Sequence, residues 1–95
     1  MTEDLETRRK RLMYQSHYRG FREADLLIGG FAKANLSQMG AAELDEFEAL
    51  LKHSDREIYE WAIGKRDVPA NIVTPIFERL RAFNIADAIR ELDAS

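Results

Sequence analysis

The sequence predicts an all-α protein, a compact single-domain bundle of about five short helices. Apolar residues recur at helical spacing along nearly the whole chain, and no stretch alternates apolar and polar residues as a half-buried strand does. Proline occurs only at positions 69 and 75, so little interrupts a helix before then. The 95 residues suffice for one domain. We expect a single unit over residues 1–95, with residues 1–10 most open to fraying and residues 85–95 as a tail.

Start and stop signals divide the chain into its helices. Residues 54–57 (Ser-Asp-Arg-Glu) form a capping box, and Gly64 is placed to end the helix that follows. The last helix begins after Pro69, or at Pro75 with Thr74 as its cap. The earlier segments are residues 3–17 with Thr2 as a candidate cap, residues 20–33, and a third helix from about Gly40. The predicted inward-facing residues are Phe21, Ala24, Leu27, Ile28, Phe31, Ala32, Leu44, Phe47, Leu50, Leu51, Ile58, Trp61, Ala62, Ile72, Ile76, Phe77, Leu80 and Phe83.

The second predicted helix has an unusual outer face. It holds Leu26 where a polar residue is expected, together with Gly29 and Gly30. Each glycine costs about 1 kcal/mol relative to alanine in a helix interior. Two interpretations remain open. Either this strip is a docking surface for another protein, or the glycines end the helix early and Leu26 packs against a neighbour.

Composition narrows the function classes. Apolar residues make up 45% and charged residues 33%, a globular balance, and without cysteine the chain has no thiolate nucleophile. The net charge is −3, and the basic run Arg8–Arg11 follows acidic residues, so a solvated helix is favoured over a nucleic-acid contact. The acidic N-terminus has no apolar leader, and no apolar run is long enough to span a membrane. We therefore expect a cytoplasmic protein without membrane insertion.

Catalytic and metal-binding patterns are lacking. His17 and His53 lie on different predicted elements, and no nucleophile stands beside a base at a useful spacing. We expect no catalytic residue, no metal site and no cofactor of the protein's own.

The segment Arg19-Gly20-Phe21-Arg22-Glu23-Ala24-Asp25 is the most informative part of the sequence. A guanidinium such as that of Arg19 can grip a carboxylate or backbone carbonyls bidentately, and Glu23 can accept hydrogen bonds. Gly20 removes a side chain where a partner's backbone would have to come close. We expect one exposed partner-binding surface, formed by Arg19, Gly20, Phe21, Arg22, Glu23, Asp25 and Leu26.

This segment resembles the RGxxE signature of the SdhE family, also called flavinators or succinate dehydrogenase assembly factors. The resemblance continues through residues 44–51, through residues 54–61 with Trp61, and through residues 76–83. Tyr18 stands where family members often have an arginine, and Phe21 where they have methionine. The triplet Arg19, Gly20 and Glu23 is intact.

The resemblance implies a small helical bundle without catalytic groups, with Arg19, Gly20 and Glu23 in the binding role. The implied client is the flavoprotein subunit of succinate dehydrogenase or fumarate reductase. FAD is bound by that client, becomes covalently attached to one of its histidines, and the factor acts by positioning. We expect a monomer. The alternatives are an antitoxin-like or regulatory module acting on another client, and a small nucleic-acid binder that uses Arg8–Arg11.

Overall fold

The computed structural model describes residues 3–17 and 20–83, which form five helices and no strand. This confirms the all-α prediction. In our numbering the helices are α1 (Leu5–Gln15), α2 (residues 22–35), α3 (Ala41–Leu50), α4 (Asp55–Ile63) and α5 (Pro75–Ala82), with 3-10 turns at Leu36–Gln38 and Ala70–Ile72.

Helix α2 changes its winding along its length. It is α-helical at Arg22–Ala24, π-helical at Asp25–Gly29 and again α-helical at Gly30–Asn35. The chain therefore stays helical through both glycines, and the interpretation that they end the helix is wrong. The π segment directly follows the motif, and such segments are frequent at functional sites.

The start signals of α4 and α5 act as the sequence predicts. Ser54 Oγ accepts from the Glu57 N–H at 3.1 Å, and Glu57 Oε1 accepts from the Ser54 N–H at 3.3 Å. Gly64 ends α4 with φ +84°, a left-handed conformation that favours glycine. Thr74 Oγ1 accepts from the N–H of the third residue of α5, so that helix begins at Pro75 and not after Pro69.

Asp4 caps α1, in the role that the sequence suggested for Thr2. Its Oδ1 accepts from the Thr7 N–H at 2.7 Å, and its backbone is extended. Thr2 itself lies outside the described residues. The predicted start at residue 3 was thus two residues early, which is a common error for helix ends.

One apolar core joins all five helices. Trp61 is only 4% exposed and lies inward with Ile58 and Ala62, which confirms its predicted structural role. Three predicted core residues, Phe21, Leu51 and Phe83, are half-buried and pack against the edge of the core. The fully buried large side chains are Leu12, Leu27, Ile28, Phe31, Leu36, Met39, Leu44, Phe47, Ile58, Ile76, Phe77 and Leu80.

Polar bonds attach the first turns of α1 to the bundle. Leu5 is 40% exposed and so adds little to the core. Instead, Arg8 Nε donates to Glu48 Oε1 at 3.0 Å, and Arg9 Nη2 donates to the Met39 carbonyl at 2.8 Å. Polar bonds from Arg8 and Arg9, and not apolar packing of Leu5, therefore attach this stretch to the fold.

Candidate partner-binding site

The motif enters α2 through an extended segment that α4 holds in place. Phe21 precedes the first helical residue with φ −147° and ψ 162°, and it provides no side-chain cap. The N–H of Gly20 donates to Oδ2 of Asp55, the first residue of α4. The start of the motif is thus attached to a residue 35 positions further along the chain.

A side chain at position 20 would disturb this internal contact. A Cβ built on Gly20 would lie 2.8 Å from Asp55 Oδ2, closer than real Cβ contacts come. The aspartate side chain is short and already holds the Gly20 amide, so it has little freedom to move away. Sequence reasoning assigned this space to a partner's backbone, and the structure shows that the chain's own carboxylate occupies it.

Phe21 packs against the same side of α4. Its ring meets the edge of Tyr59, with centroids 5.2 Å apart and planes at 86°. The guanidinium carbon of Arg56 lies 5.1 Å from the Phe21 centroid, within cation–π range. Phe21 is therefore half-buried, and part of its ring is committed to the fold.

The remaining motif residues lie further outward. Glu23 is exposed, and its carboxylate makes no hydrogen bond or ion pair with another described residue. Of the seven predicted surface residues, Gly20, Arg22 and Glu23 are exposed, Phe21, Asp25 and Leu26 are half-buried, and Arg19 lies outside the described residues, as does Tyr18. The partly covered Leu26 fits either of its two interpretations.

Gly29, and not Gly30, is required by packing within the chain. A Cβ on Gly29 would lie 3.2 Å from both the Ser16 carbonyl oxygen and the His17 ring, and Gly29 is buried. A Cβ on Gly30 would lie 3.4 Å from the ring of Phe83. Gly29 lets the end of α1 approach α2 closely, whereas a Cβ on Gly30 would make an ordinary van der Waals contact. Hence the docking interpretation is wrong for the buried Gly29 and stays open for the half-buried Gly30.

Sequence reasoning missed Asp55 and Tyr59 as parts of this site. The sequence does place both in a capped helix. The helix dipole alone is reason enough for an acidic residue such as Asp55 in the first turn, so its presence there does not indicate a further role. Nothing in the local pattern pairs Asp55 with Gly20. A long-range contact between an acid and a backbone amide leaves no periodic signal in a single sequence.

Arginines of the basic run in α1 form ion pairs with acidic residues of the same chain. Arg8 Nη2 lies 2.6 Å from Asp45 Oδ1, and Arg11 Nη2 lies 2.8 Å from Glu3 Oε1 and 3.1 Å from Glu48 Oε1. The hydrogen bond from Arg11, followed by that from Arg8, holds the pKa of Glu48 below its usual value. The pKa of Glu3 is lowered by the same guanidinium of Arg11.

The two histidines are used in packing. His17 Nδ1 lies 2.8 Å from the Met13 carbonyl oxygen, and His53 meets the edge of Trp61 at 5.2 Å between ring centroids. Residues 3–17 and 20–83 contain no group of three His, Cys, Asp or Glu side chains arranged to hold a metal ion. In that part of the chain, no helix has the length and apolarity that a bilayer crossing requires.

Comparison with known proteins identifies the family. Residues 10–84 match the family model described as "Flavinator of succinate dehydrogenase". The chain is 38% identical over 78 residues to the "FAD assembly factor SdhE" of Acetobacter pasteurianus, which covers 82% of this chain and 72% of that protein. It is 40% identical over 89 residues to the "Succinate dehydrogenase assembly factor 2, mitochondrial" of Scheffersomyces stipitis, which covers 94% of this chain and 56% of that protein.

A protein of Lodderomyces elongisporus with the same description is 48% identical over 65 residues, covering 68% of this chain and 40% of that protein. The chain thus spans nearly three quarters of the bacterial relative and about half of these two mitochondrial ones. The family match covers most of the chain and includes the whole segment from Arg19 to Trp61. This chain belongs to the flavinator of succinate dehydrogenase family.

Proposed function

We propose that this protein binds the flavoprotein subunit of succinate dehydrogenase and promotes the covalent attachment of FAD to that subunit. The observation that carries the proposal is the family match over residues 10–84, which contains the intact triplet Arg19, Gly20 and Glu23. The relatives described as an FAD assembly factor and as succinate dehydrogenase assembly factors support the same client and the same cofactor.

The proposed contact surface is the outward side of the motif. Glu23 and Arg22 are exposed there, with Leu26 and Asp25 partly covered beside them. The Glu23 carboxylate, which makes no bond with another described side chain, is available to accept from amides or a histidine of the client. Arg19 belongs to this surface by its place in the motif.

The proposed contribution to the reaction is positional. FAD stays with the client, and the flavin and the client's histidine supply the chemistry of attachment. This chain would hold the client so that the two reacting groups meet, and proximity and orientation can lower a barrier by several kcal/mol, of the order of 7 in favourable cases. We propose that it acts as a monomer, without a catalytic group or cofactor of its own. Fumarate reductase is a second proposed client.

The compartment follows from the client. Several relatives are described as mitochondrial, while the Acetobacter relative carries no such description. We therefore propose that this chain acts in the cytoplasm, because we take this to be the compartment in which its flavoprotein client folds.

The internal pairing of the basic run favours the flavoprotein client over a nucleic acid. Arg8 and Arg11 already donate to three carboxylates of the same chain, so their capacity to release counterions from phosphates is reduced. An antitoxin-like role on another client would use the same motif surface. The identity of the protein bound to this surface distinguishes that role from the assembly-factor role.

The test is co-expression of this chain with the flavoprotein subunit, followed by in-gel fluorescence of covalently bound flavin. We expect Glu23→Ala to reduce the fluorescence strongly while thermal stability changes little, because exposed substitutions stay within about 0.5 kcal/mol. Lys33→Ala is the matched control, since Lys33 is an exposed charged residue near the other end of the same helix. Normal flavin attachment with a stable Glu23→Ala protein would contradict the assignment of this surface.

A further inference from the structure

The entry to α2 lacks a cap within its own sequence. Helices usually begin after Ser, Thr, Asp or Asn, whose side chain accepts from the free amides of the first turn. Here Phe21 holds that position and caps nothing. Phe21 is extended and Gly20 lies in a bend before it, so without another support their backbone could take several conformations.

The support comes from the start of α4, which is itself well fixed. The reciprocal bonds between Ser54 and Glu57 define where α4 begins and so place Asp55 at its first position. From there the half-buried Asp55 carboxylate accepts from the Gly20 N–H. The negative charge also lies near the positive end of α2, where an anion is favoured.

A second contact fixes the next residue of the motif. Tyr59 lies four positions after Asp55, on the same face of α4. Its ring receives the edge contact with Phe21, and Arg56 covers the Phe21 ring at 5.1 Å. Residues 20 and 21 are thus held from one side by a single rigid element, α4.

We propose that Asp55 is a positioning residue for client binding: its carboxylate fixes the Gly20 backbone and thereby the direction in which Arg22 and Glu23 leave the bundle. This inference rests on the proposed function and adds a residue outside the motif to it. A preorganised surface binds more tightly because less conformational freedom is lost on association. Asp55 acts through Gly20 and need not touch the client.

Two substitutions at Asp55 separate the effect of its hydrogen bond from the effect of its charge. Asp55→Ala removes the acceptor, whereas Asp55→Asn retains a side-chain oxygen that can accept from the same N–H. Glu78→Ala is the control, because Glu78 is also an acidic residue in the first turn of a helix, α5, and pairs with Arg81 away from the motif. It reproduces the loss of a first-turn charge without affecting Gly20.

The experiment combines NMR of the free protein with calorimetric titration of the purified flavoprotein subunit. In Asp55→Ala we expect the Gly20 amide proton resonance to move and its exchange with solvent to accelerate. The Kd for the subunit should rise about tenfold, which corresponds to about 1.4 kcal/mol. Asp55→Asn should restore the Kd to within about twofold of the wild type, and Glu78→Ala should leave it unchanged.

The outcomes are distinguishable. If the wild type does not bind the flavoprotein subunit, the proposed function fails, and this inference fails with it. If the wild type binds and Asp55→Ala binds equally well, the inference alone is overturned. A folded Asp55→Asn protein that binds as weakly as the alanine variant would also overturn it, because the effect would then follow the charge and not the hydrogen bond. The asparagine variant keeps the test decisive even where the alanine variant is unstable.

Discussion

Two contacts between helices use charged residues in opposite ways. Between α1 and α3, Arg8 and Arg11 share Glu48, so these charges pair with one another and stay within the fold. Between α2 and α4, one carboxylate, that of Asp55, holds a backbone amide. Glu23 in turn remains exposed, and its carboxylate makes no bond with another described residue.

The comparison shows that charge density alone does not tell which charges the fold leaves available to a partner. The run of four basic residues in α1 is the most conspicuous charged feature of the sequence, and three of its members bond within the chain. The motif has fewer charges, but its glutamate is held outward by a helix entry that other residues fix. What matters is whether the fold has already provided a charge with its partner.

The largest expected effect on stability comes from removing the buried aromatic side chain of α4. Trp61→Ala should lower the free energy of unfolding by about 3–5 kcal/mol, because a large buried aromatic leaves a cavity. Denaturant titration measures this, with Ile63→Ala as the control on the same helix, since Ile63 is 38% exposed. Client binding should fall only as far as the unfolded fraction rises. A stable Trp61→Ala protein that has lost binding would instead place Trp61 in the interface.

The next effect tests the α1–α3 contact. Deleting residues 1–10 removes the bonds of Arg8 and Arg9 and should lower the free energy of unfolding by about 1–2 kcal/mol. Unfolding should remain cooperative, because the core residue Leu12 is retained. Urea unfolding followed by circular dichroism measures the change. An unaltered midpoint would show that these bonds add nothing to stability, and weaker client binding at equal stability would make the segment part of the interface.

A smaller effect with a defined pH dependence is expected for Glu48→Gln. The bonds from Arg11 and Arg8 hold the pKa of Glu48 below its usual value in the folded state. Its stabilising contribution is therefore fully present above the unfolded pKa of about 4.3 and is lost as the pH falls through the lower folded value. At neutral pH the variant should be less stable by about 0.5–1 kcal/mol, the range of exposed pairs.

The difference in the free energy of unfolding between the wild type and Glu48→Gln should thus disappear in acid. Thermal unfolding from pH 7 downward measures it, with Glu78→Gln as a control that removes one carboxylate of an exposed pair on α5. A gap between wild type and Glu48→Gln that widens toward low pH has the wrong sign for this explanation.

The smallest effect distinguishes the two contacts by salt. At about 1 M salt the screening length falls to about 3 Å, so the destabilisation by Glu48→Gln should shrink by a few tenths of a kcal/mol. The bond from the Gly20 amide joins a charge to a neutral group and should respond less. We expect the Gly20 amide resonance to shift little between low and high salt. A large shift would mean that the α2–α4 contact is as ionic as the α1–α3 contact.

The sequence predicted those parts of the molecule whose causes are local. The cap at Ser54, the stop at Gly64 and the inward position of Trp61 depend on residues within a few positions of one another, and the structure confirms them. The motif could be recognised because it is a short contiguous pattern. Gly20, Arg22 and Glu23 are exposed, as the sequence predicts for these members of the partner-binding surface.

The parts that could not be predicted depend on distant partners. The sequence shows Arg8 and Glu48 as two charges 40 positions apart, and only the packing of α1 on α3 pairs them. The same is true of Gly29, whose missing side chain is explained by Ser16 and His17, directly after α1. A helical wheel assigns a face to each residue but does not say which chain covers it.

The π segment at Asp25–Gly29 has a geometric consequence for the motif. Its i to i+5 bonds hold one residue more per turn than the α-helix on either side, much as if one residue had been inserted. One residue corresponds to about 100° of rotation about the helix axis. The wider turn absorbs this rotation, so the sequence positions that share a face at the recognition end and at the core end of α2 are offset by one residue. Inserting one further residue into the α-helical part would instead turn Glu23 by about a quarter of a circle relative to Phe31, while every motif residue stayed unchanged.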